Sequence, residues 1–216
     1  MRMRKHFATG AALAAAAAMA LTACGGGGGT TASGTGTGTE LNVAAAYTSD
    51  DFGPLTTGAL PMGTNWQVLE GLYRLNRTDY SVSPALAAGD PVMVSDTEYE
   101  ISLRDGAKFS DGTDVTAEDV VAAFGKATAE GSIFAQFFTF IDSMEAKDTT
   151  TVTVHLKHPF ASLKERLAIL MVTPASADAA AMKSSPIGSG PYKYTEVGEQ
   201  KVVAVPNEHY NGNAPA

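Results

Sequence analysis

The side chains that could carry chemistry in this sequence include a single cysteine and a closely spaced pair of histidines. Cys24 is the only cysteine among 216 residues, which excludes a disulfide framework and a cysteine-rich zinc site. His155 and His158 are three residues apart at the end of a predicted strand, where they point to opposite faces. Because two such side chains cannot easily share one ion, we predict no metal site at this pair.

A group of acids between residues 111 and 119 is the next candidate for a cation site. A calcium-binding loop needs a regular series of Asp residues, a Gly and a late Glu, and this segment lacks that order. Asp111-Gly112 is a turn dipeptide, and Thr116 is a candidate N-cap for a helix that begins with two acids. These residues are therefore predicted to fix the corner between a strand and a helix. The acids of this group are Asp111, Asp114, Glu118 and Asp119.

The glycine-rich segment Gly188-Ser189-Gly190 could suggest a phosphate site or a nucleophile. It lacks the Lys and the Ser or Thr of a phosphate-binding loop, and the third Gly of a dinucleotide-binding turn. Ser189 also does not lie at the centre of the Gly-x-Ser-x-Gly motif of hydrolases. A tight crossover that ends in Pro191 is the favoured interpretation. The sequence therefore assigns no catalytic residue and no cofactor.

The charge balance limits the classes of partner. The chain has 15 Lys and Arg residues against 23 Asp and Glu residues, for a formal net charge of −8. Three of the basic residues and none of the acids lie in the first 23 positions, so the rest of the chain is more acidic still. An acidic surface repels phosphate backbones, and we expect no nucleic-acid partner.

The first 39 residues have the composition of a secretory signal, a lipid-attachment site and a linker. Residues 1–23 place Arg and Lys before an apolar stretch that is shorter than a membrane span, which predicts a signal peptide. The stretch ends in Leu21-Thr22-Ala23-Cys24, which resembles a bacterial lipobox, and Cys24 is therefore the predicted lipidation site and membrane anchor. Residues 24–39 continue with Gly and Thr without charge, and predict a flexible tether. The alternatives are a transmembrane anchor and an ordinary signal peptide.

Residues 40–216 have the hydrophobic patterns of a mixed α/β domain. Apolar residues near helical spacing predict helices over 64–75, 116–127, 133–141, 163–170 and 176–182. Alternating patterns predict a first strand at 41–46 and hairpins over 92–103, 144–156 and 192–205. Hairpins placed between helices exclude a strict βαβ array and an all-β sandwich.

Four short segments carry recognisable motifs. In chain order they read LEGL at 69–72, YEISLR at 99–104, KFSDGTDVTAEDV at 108–120, and PIGSGPY at 186–192 followed by Asn207 and Tyr210. Together they resemble the motifs of the solute-binding protein family 5, the periplasmic or lipid-anchored oligopeptide-, dipeptide- and nickel-binding components of ABC importers. The resemblance implies an α/β, periplasmic-binding-protein-like fold of type II (cluster C), with mixed sheets and flanking helices. Members of this family are more than twice as long. Residues 40–216 are therefore expected to form the N-terminal part of an incomplete solute-binding domain, with the second lobe largely missing.

The same resemblance implies a monomeric extracytoplasmic binding protein rather than an enzyme. It would capture a small solute, an oligopeptide or dipeptide, and deliver it to ABC permease subunits. We nominate Tyr47, Thr48, Asn65 and Trp66 as ligand-binding residues, because aromatic side chains give rigid contact area and ligands lie beyond strand ends in open sheets. The alternative is that these four residues pack the first lobe. Two other functions stay open at this point, a truncated non-transporting lipoprotein and an extracytoplasmic hydrolase.

Overall fold

The structure is a computed structural model that describes residues 49–198 and 201–212. The predictions for residues 1–23, for Cys24 and the linker to residue 39, for the strand at 41–46, and for Tyr47 and Thr48 lie outside the described residues. Within the described part, no helix has both the length and the apolar character that crossing a bilayer requires.

The described chain alternates short helices with antiparallel strands. The elements are α1 (Ala59–Val68), β1 (Tyr73–Leu75), β2 (Val82–Pro84), β3 (Val92–Ser95), β4 (Glu98–Ser102), α2 (Ala117–Thr128), a 3-10 turn (Ala135–Phe137), β5 (Ile141–Ala146), β6 (Thr151–Leu156), α3 (Leu163–Leu167), α4 (Ala179–Ser184), β7 (Tyr192–Val197) and β8 (Val202–Pro206). Four of the strands form one sheet in the order β3-β4-β6-β5, and the others form the hairpins β1-β2 and β7-β8.

The four-stranded sheet buries one face against α2. Successive side chains of a strand point to opposite faces, so Ile101 of β4 is buried while its neighbours Glu100 and Ser102 lie toward solvent. Val120 of α2 and Val154 of β6 are completely buried in the same apolar cluster. The predicted hairpins over 92–103 and 144–156 form the two halves of this sheet, and the hairpin over 192–205 forms β7 and β8.

Helix α2 begins where the acids and Thr116 predict it. The Asp119 carboxylate accepts hydrogen bonds from the Thr116 backbone N–H and hydroxyl through Oδ2, both at 2.8 Å. Its other oxygen, Oδ1, accepts from the Ala175 N–H at 2.7 Å. Asp119 therefore joins the start of the helix to a loop that lies 56 residues later.

We expect Asp119→Ala to lower the free energy of unfolding by about 2 kcal/mol, because it removes the acceptor of the helix cap and leaves the Ala175 N–H without its partner. Urea unfolding followed by circular dichroism measures this loss. Glu118→Ala is the matched control, since Glu118 is an exposed acid of the same helical turn. An equal effect of the two substitutions would contradict the role given to Asp119.

The predicted helix over 64–75 is wrong in its boundaries. Helix α1 begins earlier and ends at Val68, so Thr64 lies inside it and donates a side-chain hydrogen bond to the Leu60 carbonyl at 3.2 Å. The chain is extended at Leu69, where φ is −104° and ψ is 147°, and then enters β1. Leu72 and Tyr73 lie after the end of α1 and are buried in the core. Their spacing from Val68 and Leu69 is close to that of a buried helix face, which explains the wrong boundary.

Two further helix predictions need correction. The segment 133–141 forms only a 3-10 turn before β5. Phe138 and Phe140 are buried in the core although the backbone that carries them is not helical. The helix predicted over 176–182 begins at Ala179, and its N-cap is Asp178, whose carboxylate accepts from two backbone N–H groups of the first turn. The helix predicted over 163–170 is present as the shorter α3.

Candidate functional site

A buried carboxylate lies where two of the sequence motifs meet. Glu70 follows α1, and its side chain is 1% exposed. Its Oε2 accepts from Arg104 Nη2 at 2.9 Å, and its Oε1 accepts from Arg74 Nη2 at 3.0 Å. A carboxylate removed from water in this way requires cationic partners with good geometry. The Glu70–Arg104 pair therefore fixes the LEGL segment to the end of the YEISLR strand.

Arg104 extends this network to the last motif of the chain. Its Nε donates to Asn211 Oδ1 at 3.2 Å, and its Nη1 donates to the Ala85 carbonyl. The guanidinium carbon also lies 5.7 Å from the centroid of the Tyr210 ring. These contacts use the donors of Arg104 within the protein, so we assign the network to the architecture of the lobe rather than to solute binding.

The Gly188-Ser189-Gly190 segment packs directly against the end of α1. The Gly190 N–H donates to the Val68 carbonyl at 2.9 Å, and Asn207 Nδ2 donates to the Gly190 carbonyl at 2.8 Å. Ser110, in the DG-turn motif, donates its N–H to the Gly188 carbonyl at 2.8 Å. The segment is therefore the tight crossover that the sequence favours.

Ser189 lacks the surroundings of a nucleophile. The residue is completely buried, and its Oγ has no hydrogen-bond partner among the described residues. A nucleophilic serine needs a base within hydrogen-bond distance and access to a substrate. Ser189 has neither in the described structure.

Asn65 is fully engaged inside the lobe. Its Nδ2 donates to the Phe52 carbonyl at 2.9 Å and lies 3.3 Å from the Gly53 carbonyl, while its Oδ1 accepts from the Tyr194 hydroxyl at 2.9 Å. Burial raises the pKa of Tyr194 to about 12, so this phenol stays protonated as a donor into the alkaline range where an ordinary tyrosine ionises. Asn65 therefore joins the loop before α1 to β7, and fixes the position of the adjacent Trp66.

Trp66 is half-buried, and its ring lies under a guanidinium. The Arg77 carbon Cζ is 5.0 Å from the ring centroid, within the range of a cation–π interaction. Arg77 belongs to the exposed turn between β1 and β2 and forms no ion pair with another described residue. An aromatic face beside an unpaired guanidinium can contact an apolar group and bind a carboxylate at the same time.

The structure thus places two of the four nominated residues side by side on α1, with different roles. Asn65 is buried and its amide is occupied, whereas Trp66 keeps part of its surface accessible. Arg77 was missed by the sequence analysis, because nothing in the local pattern indicates that its turn folds back over α1.

The two histidines lie in different settings. His155 of β6 is opposite Glu98 of β4 and Ser143 of β5, and His158 follows the end of the strand with Nδ1 3.3 Å from the Pro159 carbonyl. Within residues 49–198 and 201–212, no group of three or more His, Cys, Asp or Glu side chains is arranged to hold a metal ion.

Known proteins resemble this chain over part of its length. A sequence profile described as "Bacterial extracellular solute-binding proteins, family 5 Middle" matches residues 81–216. The "Probable D,D-dipeptide-binding periplasmic protein DdpA" of Escherichia coli K12 is 38% identical over 130 residues, which are 55% of this chain and 25% of that protein. The "Glutathione-binding protein GsiB" of the same strain is 31% identical over 131 residues, covering 57% of this chain and 25% of that protein. The matched region thus spans about a quarter of the length of these curated relatives.

Solved structures support the fold. OppA of Listeria monocytogenes bound to peptide superposes with a TM-score of 0.69 at 22% identity, over 76% of this chain and 38% of that one. NikZ of Campylobacter jejuni in complex with Ni(L-His) gives a TM-score of 0.64 at 25% identity, over 80% of this chain and 35% of that one. The predicted fold class is confirmed: a mixed α/β, periplasmic-binding-protein-like arrangement of type II, with sheets and flanking helices.

Proposed function

Because this chain belongs to family 5 of the bacterial extracellular solute-binding proteins, we propose that it is the substrate-binding component of an ABC importer. It captures a peptide outside the cytoplasm and delivers it to the permease subunits in the membrane. The observation that carries the proposal is the family match over residues 81–216. An extracytoplasmic location agrees with the description of the family and with the periplasmic relative DdpA.

Peptides are the solute class that the relatives favour. DdpA is described as binding a D,D-dipeptide, GsiB as binding glutathione, and the Listeria OppA structure holds a peptide. A short peptide carries a free carboxylate and can carry apolar side chains, and these two features match the paired surfaces of Arg77 and Trp66. In our proposal the Trp66 ring forms part of the cleft wall and Arg77 binds a carboxylate of the solute.

Binding without chemistry is sufficient for this role. A solute that touches two lobes favours their closed arrangement, because its contacts are complete only in that state. The closed form is then what the permease recognises. Tyr47 and Thr48 stay candidates for the same cleft, and lipidation of Cys24 is the proposed anchor that holds a monomeric receptor at the membrane.

We expect titration calorimetry of the intact gene product with mixtures of di- and tripeptides to show saturable binding. Trp66→Phe should weaken binding about fivefold to tenfold, which corresponds to roughly 1 kcal/mol of lost aromatic contact. Arg77→Gln should weaken peptides with a free C-terminal carboxylate more than their amidated forms. The matched control is Arg166→Gln, because Arg166 also lies over an aromatic ring, 5.9 Å from the centroid of Phe137, but at another place in the fold.

Recovery of the peptides after incubation separates binding from hydrolysis. Unchanged peptides are expected, whereas steady cleavage that a single substitution abolishes would favour an enzyme. If titrations with peptides, with sugars and with Ni(L-His) all gave no heat of binding, the result would count against a solute-binding role.

A further inference from the structure

Asn211 is the only asparagine of the sequence that is followed by glycine. Asparagine is a chemically labile residue, because the nitrogen of the next peptide group can attack its side-chain amide. Glycine presents that nitrogen without a side chain in the way. Asn211 is exposed, and the Gly212 N–H donates no hydrogen bond to another described residue. Both reacting groups are therefore accessible to each other and to water.

The packing of Tyr210 explains why a glycine follows this asparagine. A Cβ added to Gly212 would lie 2.5 Å from Tyr210 Oη and 2.7 Å from its Cζ. The same ring lies over the Arg104 guanidinium, with 5.7 Å between the guanidinium carbon and the ring centroid. A larger residue at position 212 would push the ring away from Arg104. The fold thus favours glycine at the position where glycine makes Asn211 most reactive.

Two hydrogen bonds restrain the Asn211 side chain. Its Oδ1 accepts from Arg104 Nε at 3.2 Å, and its Nδ2 donates to the Asp105 carbonyl at 2.8 Å. While both bonds are made, the amide group cannot turn toward the Gly212 nitrogen. Both bonds lie at the surface, where local opening has a small free-energy cost. The reaction therefore proceeds each time this contact opens, and more slowly than in an unfolded segment.

We propose that Asn211 is a site of spontaneous deamidation, and that its contact with Arg104 sets the rate. The Gly212 nitrogen forms a bond to Asn211 Cγ, and the bond between Cγ and Nδ2 breaks. The proton of the Gly212 N–H leaves with the side-chain amino group as ammonia, and a cyclic succinimide remains. Water then opens the ring at one of its two carbonyls, which gives an aspartate or an isoaspartate at position 211.

Both products weaken the fastening of the last described segment. An aspartate still accepts from Arg104 Nε, but it has no donor for the Asp105 carbonyl and places a negative charge beside that oxygen. An isoaspartate routes the backbone through the former side chain, which displaces Gly212 from the Tyr210 ring. The modification is independent of the solute site proposed around Trp66.

The test incubates the intact protein in mildly alkaline buffer and follows each asparagine by peptide mapping with mass spectrometry. Enzymatic methylation of isoaspartate is the second readout. Asn211 should deamidate before Asn76, which is also exposed but precedes an arginine. Asn211→Gln should remove the product at this position, because the longer side chain has to close a larger ring.

Two arginine variants test the restraint. Arg104→Lys removes the Nε donor to Asn211 and keeps a cation beside Glu70, and should raise the deamidation rate about fivefold, the effect of losing one ordinary hydrogen bond. Arg74→Lys is the matched control, because Arg74 also binds Glu70 but forms no bond with Asn211, and should leave the rate unchanged. Circular dichroism verifies that both variants fold.

A synthetic peptide spanning residues 207–213 gives the rate without the fold, and keeps the test decisive if Arg104→Lys does not fold. This peptide should deamidate at Asn211 faster than the intact protein does. The proposal is overturned if Asn211 stays intact while Asn76 reacts, or if the peptide and the protein react equally fast. An unchanged rate in folded Arg104→Lys, or equal acceleration by Arg104→Lys and Arg74→Lys, would overturn it as well.

Discussion

Arg104→Met is expected to lower the free energy of unfolding by about 3–5 kcal/mol, the usual cost of removing one partner from a buried ion pair. The carboxylate of Glu70 is 1% exposed and would keep only Arg74, whose side chain is 34% exposed. The substitution also removes the donors to Asn211 and to the Ala85 carbonyl. Urea or thermal unfolding followed by circular dichroism measures the effect.

Two variants separate charge burial from general loss of packing. Lys147→Met breaks an ion pair with Glu100 at the surface, where the two atoms are 2.7 Å apart, and should have little effect on stability because water screens exposed pairs. The double variant Glu70→Gln with Arg104→Met should recover part of the stability lost in Arg104→Met, because it no longer buries a charged carboxylate. If Arg104→Met and Lys147→Met were equally mild, the buried network would not hold the lobe together as we describe.

Gly188→Ala is the second substitution with a large expected effect, at about 3 kcal/mol of destabilisation. A Cβ at this position would overlap the Val68 carbonyl oxygen and lie 2.6 Å from Leu69 Cδ2. The carbonyl is backbone at the end of α1 and cannot rotate away. The crossover would have to move, which endangers the hydrogen bond from Ser110 to the Gly188 carbonyl.

Gly125→Ala serves as the comparison within the same chain. Gly125 lies inside α2, and an added Cβ would meet no atom within 4 Å. Since Gly is less favourable than Ala in a helix interior, this substitution should raise stability by about 0.5–1 kcal/mol. Opposite signs for the two variants in the same unfolding assay are the expected result, and a neutral Gly188→Ala would refute the close packing of the crossover.

The predictable parts of the fold are those with local signals. The hairpin of β3 and β4 is marked by alternation around the Asp96-Thr97 turn, and α2 is marked by Thr116 followed by acids. The hairpin of β1 and β2 was missed, because three-residue strands are too short for alternation to be recognised. Clustered phenylalanines between residues 134 and 140 indicated burial, and burial alone does not distinguish a helix from an irregular chain.

The site was less predictable than the fold for a related reason. Trp66 is a candidate for solute binding largely because Arg77 lies over its ring. Arg77 reaches the ring only because the turn between β1 and β2 folds back over α1. The engagement of Asn65 depends on Tyr194, which lies 129 residues later in the chain. Pairings of this separation are set by tertiary structure, and a single sequence carries no local trace of them.

The contact between Arg104 and Asn211 has a consequence for the order in which the chain folds. The two residues are 107 positions apart, whereas each β-hairpin pairs neighbouring strands and Arg104 meets Glu70 after only 34 residues. Because the entropic cost of closing a loop grows with its length, we expect the hairpins and the Glu70–Arg104 pair to form before the Arg104–Asn211 contact. Contacts of such large separation are also those that slow the folding of a domain.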